Sequence, residues 1–275
     1  MSKKPSPGHW GQIGRMQFER TTRKITASRE DWKLLRRIVK LRTKTDVPPL
    51  GLWRAVDDEF LWARIVSQIC NRGGVGWGYA LNRSGRRKEF DERLSLTTLR
   101  TLPSEPGLEK YIAEQLDEFH VGRFRKDNMK SIVDNLATFM DSGGRLSELR
   151  NRLDELDSTA DIIGLDVQER ERKARRFLME RLAFYQNGKK FWAKRKPASD
   201  FLINVGFART LIPFDSRMKK VFKQVWGITV SEERNYELIE DFFLSEVYLD
   251  LHITPSEFDR IIFQHTERVL EWAGS

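Results

Sequence analysis

The sequence predicts an all-α protein. Apolar residues recur at helical spacing in one segment after another, proline and glycine mark the breaks, and no alternating strand pattern of useful length occurs.

Residues 1–28 hold Pro5, Pro7, Gly8, Gly11 and Gly14 without a steady apolar period, and read as an arm or loop. Over 29–43, Trp32, Leu35, Ile38 and Val39 share one face and Pro48 and Pro49 stop the helix. Residues 57–70 read as a largely buried helix with an acidic first turn. The glycine-rich run from Asn71 to Gly78 breaks it. Helical spacing returns over 107–119 (Leu108, Tyr111, Ile112, Leu116, Phe119) and 127–140 (Met129, Ile132, Val133, Leu136, Met140), ended by Gly143-Gly144. Further helices are expected at 145–156, 167–186, 215–226, 231–249 and 254–272. The last opens Thr254-Pro-Ser-Glu257, a capping box with proline at the first helical position.

At 275 residues the chain can build one large domain or two lobes. Charged residues make up 32% and mean hydropathy is negative, so a soluble protein is expected. No apolar run approaches the roughly 20 residues that span a bilayer. No secretory signal is visible, and the single cysteine, Cys70, allows no intramolecular disulfide. The simple reading of these features is a cytoplasmic or otherwise intracellular protein. One cysteine excludes a four-cysteine iron–sulfur cluster. His9, His120, His252 and His265 lack metal-ligand spacing. Neither a metal nor another cofactor is expected. The net charge is +9, and residues 1–45, with 13 Lys and Arg against 3 Asp and Glu, account for +10. A basic arm of this kind suits a polyanion or stays solvated.

The most informative stretch is Lys196-Pro-Ala-Ser-Asp-Phe-Leu-Ile-Asn-Val-Gly206, followed by Ile212-Pro-Phe-Asp-Ser-Arg-Met218. It reads as a lysine at a helix start, a short helix ending at glycine, a loop, and an aspartate opening the next helix. Pro197 is a favoured first helical residue, which places Lys196 where the helix dipole disfavours a cation. By pattern Asp215 is an N-cap.

This layout resembles the core of the helix-hairpin-helix DNA glycosylases. It is most similar to the type-2 8-oxoguanine DNA glycosylase/lyases, whose motif reads roughly Lys-Glu-Ala-Ser-His-Phe-Leu-Arg-Asn, then Asp-Arg-His. The segments Arg123–Val133 and Glu257–Glu271 resemble further parts of that family in the same order. The resemblance implies a two-lobed fold with the active cleft between the lobes. After the basic arm at 1–28, the glycosylase domain would span 29–275. A helical barrel lobe would cover about 57–195 and the hairpin and catalytic helices 188–226. The helices of 231–272 would pack with the N-terminal helix.

The resemblance also implies a role for each residue. Lys196 would attack the sugar C1′ and form a Schiff base, allowing strand cleavage by β-elimination, while Asp215 activates the amine and stabilises positive charge on the sugar. Gln68, Asn71 and Arg72 sit where such enzymes plug the gap left by a flipped base; an ordinary helix C-terminus explains them equally well. Trp77, Trp192, Phe207 and Phe214 are candidates to stack on that base. Arg217, with Lys219 and Lys220 beside it, is a candidate phosphate contact.

Two departures bear on these expectations. The family has Gly-hydrophobic-Gly before its lysine, where backbone amides hold a phosphate. Here Phe191-Trp-Ala-Lys-Arg195 has no glycine, and Gly188 is the nearest. Either the turn has moved or Lys189, Lys190, Lys194 and Arg195 replace the amides by charge. Lys194 is then the alternative nucleophile. The family also ends at a lysine, whereas Glu271 stands at about that place here and four residues follow it. The expected partner is double-stranded DNA bearing a damaged or modified base, read by a monomer. 8-oxoguanine is the first substrate and a modified pyrimidine, including a hypermodified base of phage DNA, the rival. A DNA-binding protein of this fold without catalysis, or an RNA-binding protein using the arm, are the other readings.

Overall fold

The computed structural model describes residues 17–19, 24–42, 47–71, 81–102, 106–121, 124–157, 163–231 and 235–274. The chain forms two compact units, Met1–Asp46 with Phe214–Ser275, and Val47–Pro213. Helices dominate both, and no helix among the described residues is long and apolar enough to cross a membrane.

The Val47–Pro213 unit starts with the short helix α2 (Leu52–Ala55) and is built around α3 (Asp58–Cys70). Asp57 caps α3 by accepting from the Phe60 amide, and Leu61, Trp62, Ile65, Val66, Ile69 and Cys70 are buried. Around it stand α4 (Arg87–Arg93), α5 (Leu96–Leu99), α6 (Gly107–Glu118), α7 (Arg125–Phe139), α8 (Ser147–Leu156), α9 (Leu165–Arg181) and α10 (Arg195–Asn204). Arg150 on α8 ties the start of this unit together. It pairs with Asp58 and donates to the carbonyls of Trp53 at 3.0 Å and Val56 at 2.7 Å.

The other unit combines the N-terminal α1 (Arg29–Val39) with α11 (Ser216–Trp226), α12 (Tyr236–Phe242), a π-helical turn (Phe243–Tyr248), α13 (Leu249–Leu251) and α14 (Pro255–Gly274). Aromatic rings fill its core: Phe214, Phe222, Trp226, Tyr236, Phe243 and Phe258 are linked by edge-to-face and tilted contacts. Trp32 of α1 meets Phe242, and Arg37 lies 3.9 Å over the ring of Trp272. The predicted capping box is present: the Thr254 amide donates to Glu257 at 2.9 Å, and the Glu257 amide to Thr254 Oγ1 at 3.2 Å. The α14 backbone leaves helical geometry at His265, beside Thr266, whose hydroxyl donates to the Ile262 carbonyl at 2.6 Å.

Strands occur where none was expected. Within the segment read as arm or loop, β1 (Gln17–Glu19) pairs antiparallel with β2 (Lys24–Thr26), and Ile25 is buried. Residues 183–186, expected to continue a helix, form β3 (Ala183–Gln186) paired with β4 (Lys189–Trp192). Three-residue and four-residue strands are too short to show an alternating pattern. The signal for the second hairpin was its turn, Asn187-Gly188, with φ of 52° and 76°. Two consecutive positive φ values are the requirement of a type I′ hairpin turn.

Polar groups dock this hairpin on α7. Asn135 receives the Ala183 amide at 2.9 Å and donates to the Ala183 carbonyl at 2.7 Å, and the Tyr185 amide donates to Ser131 Oγ at 2.9 Å. The Tyr185 hydroxyl donates to Asp134 at 3.0 Å. Burial, then the hydrogen bond and charge of Asp134, push the Tyr185 hydroxyl above its ordinary pKa. Replacing Asn135 by alanine strands both polar groups of the buried Ala183 backbone. Asn135→Ala is expected to lower unfolding stability by about 3 kcal/mol in urea titration.

Candidate active site

The lysine motif sits on α10, which packs along α9 and against α3. The helix begins one residue before Lys196, at Arg195, with Lys194 as N-cap. Pro197 is therefore the third helical residue rather than the first. Lys196 remains in the first turn. Its amine donates to Asp200 Oδ2 at 2.6 Å, one turn along the same helix, with the lysine side chain 35% exposed and the aspartate 16%.

The other end of α10 is fixed by a close approach. Gly206 has φ of +74°, and its carbonyl accepts from the Gly51 amide at 2.8 Å. A Cβ there would lie 2.3 Å from the Pro49 carbonyl oxygen and 2.8 Å from Leu52 Cβ. Beyond it, the carboxylate of Glu171 on α9, which is 2% exposed, receives the amides of Arg209 and Thr210 at 2.8 Å each and the Thr210 hydroxyl at 2.5 Å. The segment leaving the lysine helix is thus pinned.

Asp215 belongs to the other unit. It caps α11 by accepting from the Met218 amide at 2.8 Å and is half-buried. Met218, Val221, Phe222, Val225 and Trp226 bury one face of that helix. Arg217 is exposed, with its guanidinium 4.3 Å over the ring of Phe263.

The turn nearest the lysine cannot hold a phosphate with its amides. The Asn187 and Gly188 N–H groups donate to the Asp127 carboxylate at 2.8 and 2.9 Å. Positive charge stands on β4 and just after it instead. Lys189 and Lys194 are exposed, and Arg195 is half-buried. Lys190 pairs with Asp134 at 2.8 Å and lies 4.6 Å from the centre of the Trp192 ring. Trp192 is 49% exposed, an open surface ring rather than the lining of a pocket.

Two expected pocket rings are core residues. Phe207 packs against Trp53 at 5.9 Å, and Phe214 against Tyr236 at 4.6 Å and Phe222 at 5.4 Å; both are buried and neither offers a face to a base. Gln68 is also buried, on the inner side of α3, whereas Asn71 is exposed as the C-cap of that helix. Arg72 and Trp77 lie outside the described residues. Among the described residues no group of three or more His, Cys, Asp or Glu could hold a metal ion. The sequence holds a signal for this pair that the motif resemblance does not use: a carboxylate four residues after a lysine on a helix is within reach of its amine.

No family model matches the chain, and no curated protein sequence does. Solved structures do. An 8-oxoguanine DNA glycosylase of Methanocaldococcus jannaschii matches with a TM-score of 0.57 and 17% identity, over 86% of this chain and 94% of that one. The 8-oxoguanine glycosylase/lyase of the same organism, in complex with a 15mer DNA containing 8-oxoguanine, matches at 0.48 and 18%, over 88% and 93%. The 8-oxoguanine DNA glycosylase of Thermotoga maritima matches at 0.49 and 17%, over 86% and 90%. The first of these shows that the chain has the fold of a DNA glycosylase.

Gly206→Ala combines a disfavoured positive φ with a clash against backbone. The variant is expected to lose about 3 kcal/mol of stability, measured by chemical denaturation.

Proposed function

We propose that the chain is a DNA glycosylase with associated lyase activity, and that 8-oxoguanine is its first candidate substrate. One observation carries the reading: an amine held by a carboxylate in the first turn of a helix, on a chain with the fold of an 8-oxoguanine DNA glycosylase.

The chemistry follows from that group. The base is flipped from the stack so that C1′ becomes accessible. The Lys196 nitrogen bonds to C1′ as the base departs with the electrons of the glycosidic bond. Ring opening gives the Schiff base, whose acidified C2′ proton permits β-elimination of the 3′ phosphate. Asp215 supplies negative charge against the cationic sugar. Lys189, Lys190 and Lys194 contact phosphates by charge, because Asp127 already occupies the turn amides. Trp192 offers a ring face to an unstacked base beside them.

The occupied amides also favour a second reading, a protein that binds DNA with this fold and has no catalysis. Borohydride reduction on duplexes containing 8-oxoguanine or an abasic site separates the two. The expected result is a covalent adduct with the wild type and none with Lys196→Gln. An adduct that survives the substitution assigns the chemistry to Lys194 or another amine, and binding without any adduct supports the second reading.

The phosphate contacts have their own readout. Replacing both Lys189 and Lys190 by alanine is expected to reduce the slope of log affinity against log salt by about 2, in titrations of labelled duplex.

A further inference from the structure

We infer that Asp200 is a catalytic residue, the group that takes the proton from the Lys196 amine; this rests on the reading of Lys196 as the nucleophile. The Asp200 Oδ2 atom is 2.6 Å from Nζ, within the range of a charge-assisted hydrogen bond and of direct proton transfer. The pair is poorly placed to be a helix-stabilising ornament. Its lysine lies in the first turn and its aspartate four residues later, the reverse of the order that complements the helix dipole. Asp200 is also mostly covered, on a helix whose neighbouring Ala198, Ser199, Phe201 and Leu202 are buried. A carboxylate in such a place is costly unless it is paired.

Covering matters to the step itself. In water the ammonium–carboxylate form is favoured. When a nucleic acid lies over the lysine and excludes solvent, the two charges lose hydration and the neutral amine–carboxylic acid form gains. The proton moves from Nζ to Oδ2, the freed lone pair forms the N–C1′ bond, and the C1′–base bond breaks with its electron pair leaving on the base. Asp215 is then left with one task, opposing the positive charge on the sugar.

The test is single-turnover borohydride trapping on a duplex that the wild type traps, run beside equilibrium binding of the same duplex. Asp200→Asn preserves shape and a hydrogen-bond partner but is no base at neutral pH. Its trapping rate is expected to fall about 100-fold, with affinity and melting temperature unchanged. Asp200→Ala, which needs no amide to pack, is expected to regain rate on addition of formate, a result that a merely structural role does not give. Asp200→Asn trapping at the wild-type rate, with Lys196→Gln inactive, overturns the assignment of Asp200 and leaves Lys196 standing. Failure of formate to restore any rate to Asp200→Ala overturns it as well. An adduct that persists in Lys196→Gln overturns the reading beneath it.

Discussion

A buried carboxylate organises the region around Lys196. Glu171 stands on α9 and receives hydrogen bonds from the backbone and side chain of the segment that follows α10. A charge with so little exposure is tolerated only when its lone pairs are filled, and here at least three donors fill them. The consequence is geometric. The chain leaving Gly206 is held along its path to Pro213, two residues before the aspartate that caps α11. Gly206 fixes the start of the same path, because its contact with Pro49 and Leu52 leaves no room for a side chain. The lysine helix is thus held at its C-terminal end by backbone contact and beyond it by a carboxylate, while its first turn remains partly open to solvent.

On the proposed function, the hairpin of β3 and β4 sets how the protein would meet DNA. A glycine turn that presents free amides binds a phosphate by dipoles at short range. Here the corresponding donors are spent on Asp127, and what the chain presents are lysine ammonium groups on flexible stems. Ammonium groups act over the Debye length and release counterions, so they give affinity that is less demanding of geometry and more sensitive to salt. On that reading, precision about the position of the duplex must come from elsewhere. The exposed ring of Trp192 beneath Lys190 is the group on this hairpin with the shape to provide it.

What could be read from the sequence was local. Asp215 as a cap, the Thr254–Glu257 box and the buried face of α3 depend on residues within one or two turns, and each is present in the structure. The hairpin escaped because strands of four residues carry too little alternation, and because its stability comes from Asn135, Ser131 and Asp127 about fifty to sixty residues away. Phe207 and Phe214 lie beside the motif in sequence, yet their rings are claimed by Trp53 and Tyr236, partners that proximity in sequence does not reveal. The π-helical turn at Phe243–Tyr248 likewise interrupts what periodicity joins into a single helix.

The placement of Lys196 sets two electrostatic effects against each other. The amides of the first turn disfavour a cation there, and the Asp200 carboxylate favours one. Neither is fixed in size, because both depend on how much water surrounds the amine. An exposed amine feels them weakly; a covered one feels both, and the cost of keeping two separated charges rises as well. On the inference drawn above, the ion pair of Lys196 and Asp200 is disturbed when a bound duplex displaces the water around it. The proposal thereby links reactivity to binding without any moving part: the duplex that would bring the sugar to the nitrogen is the same object that would remove the solvent holding the ion pair in place.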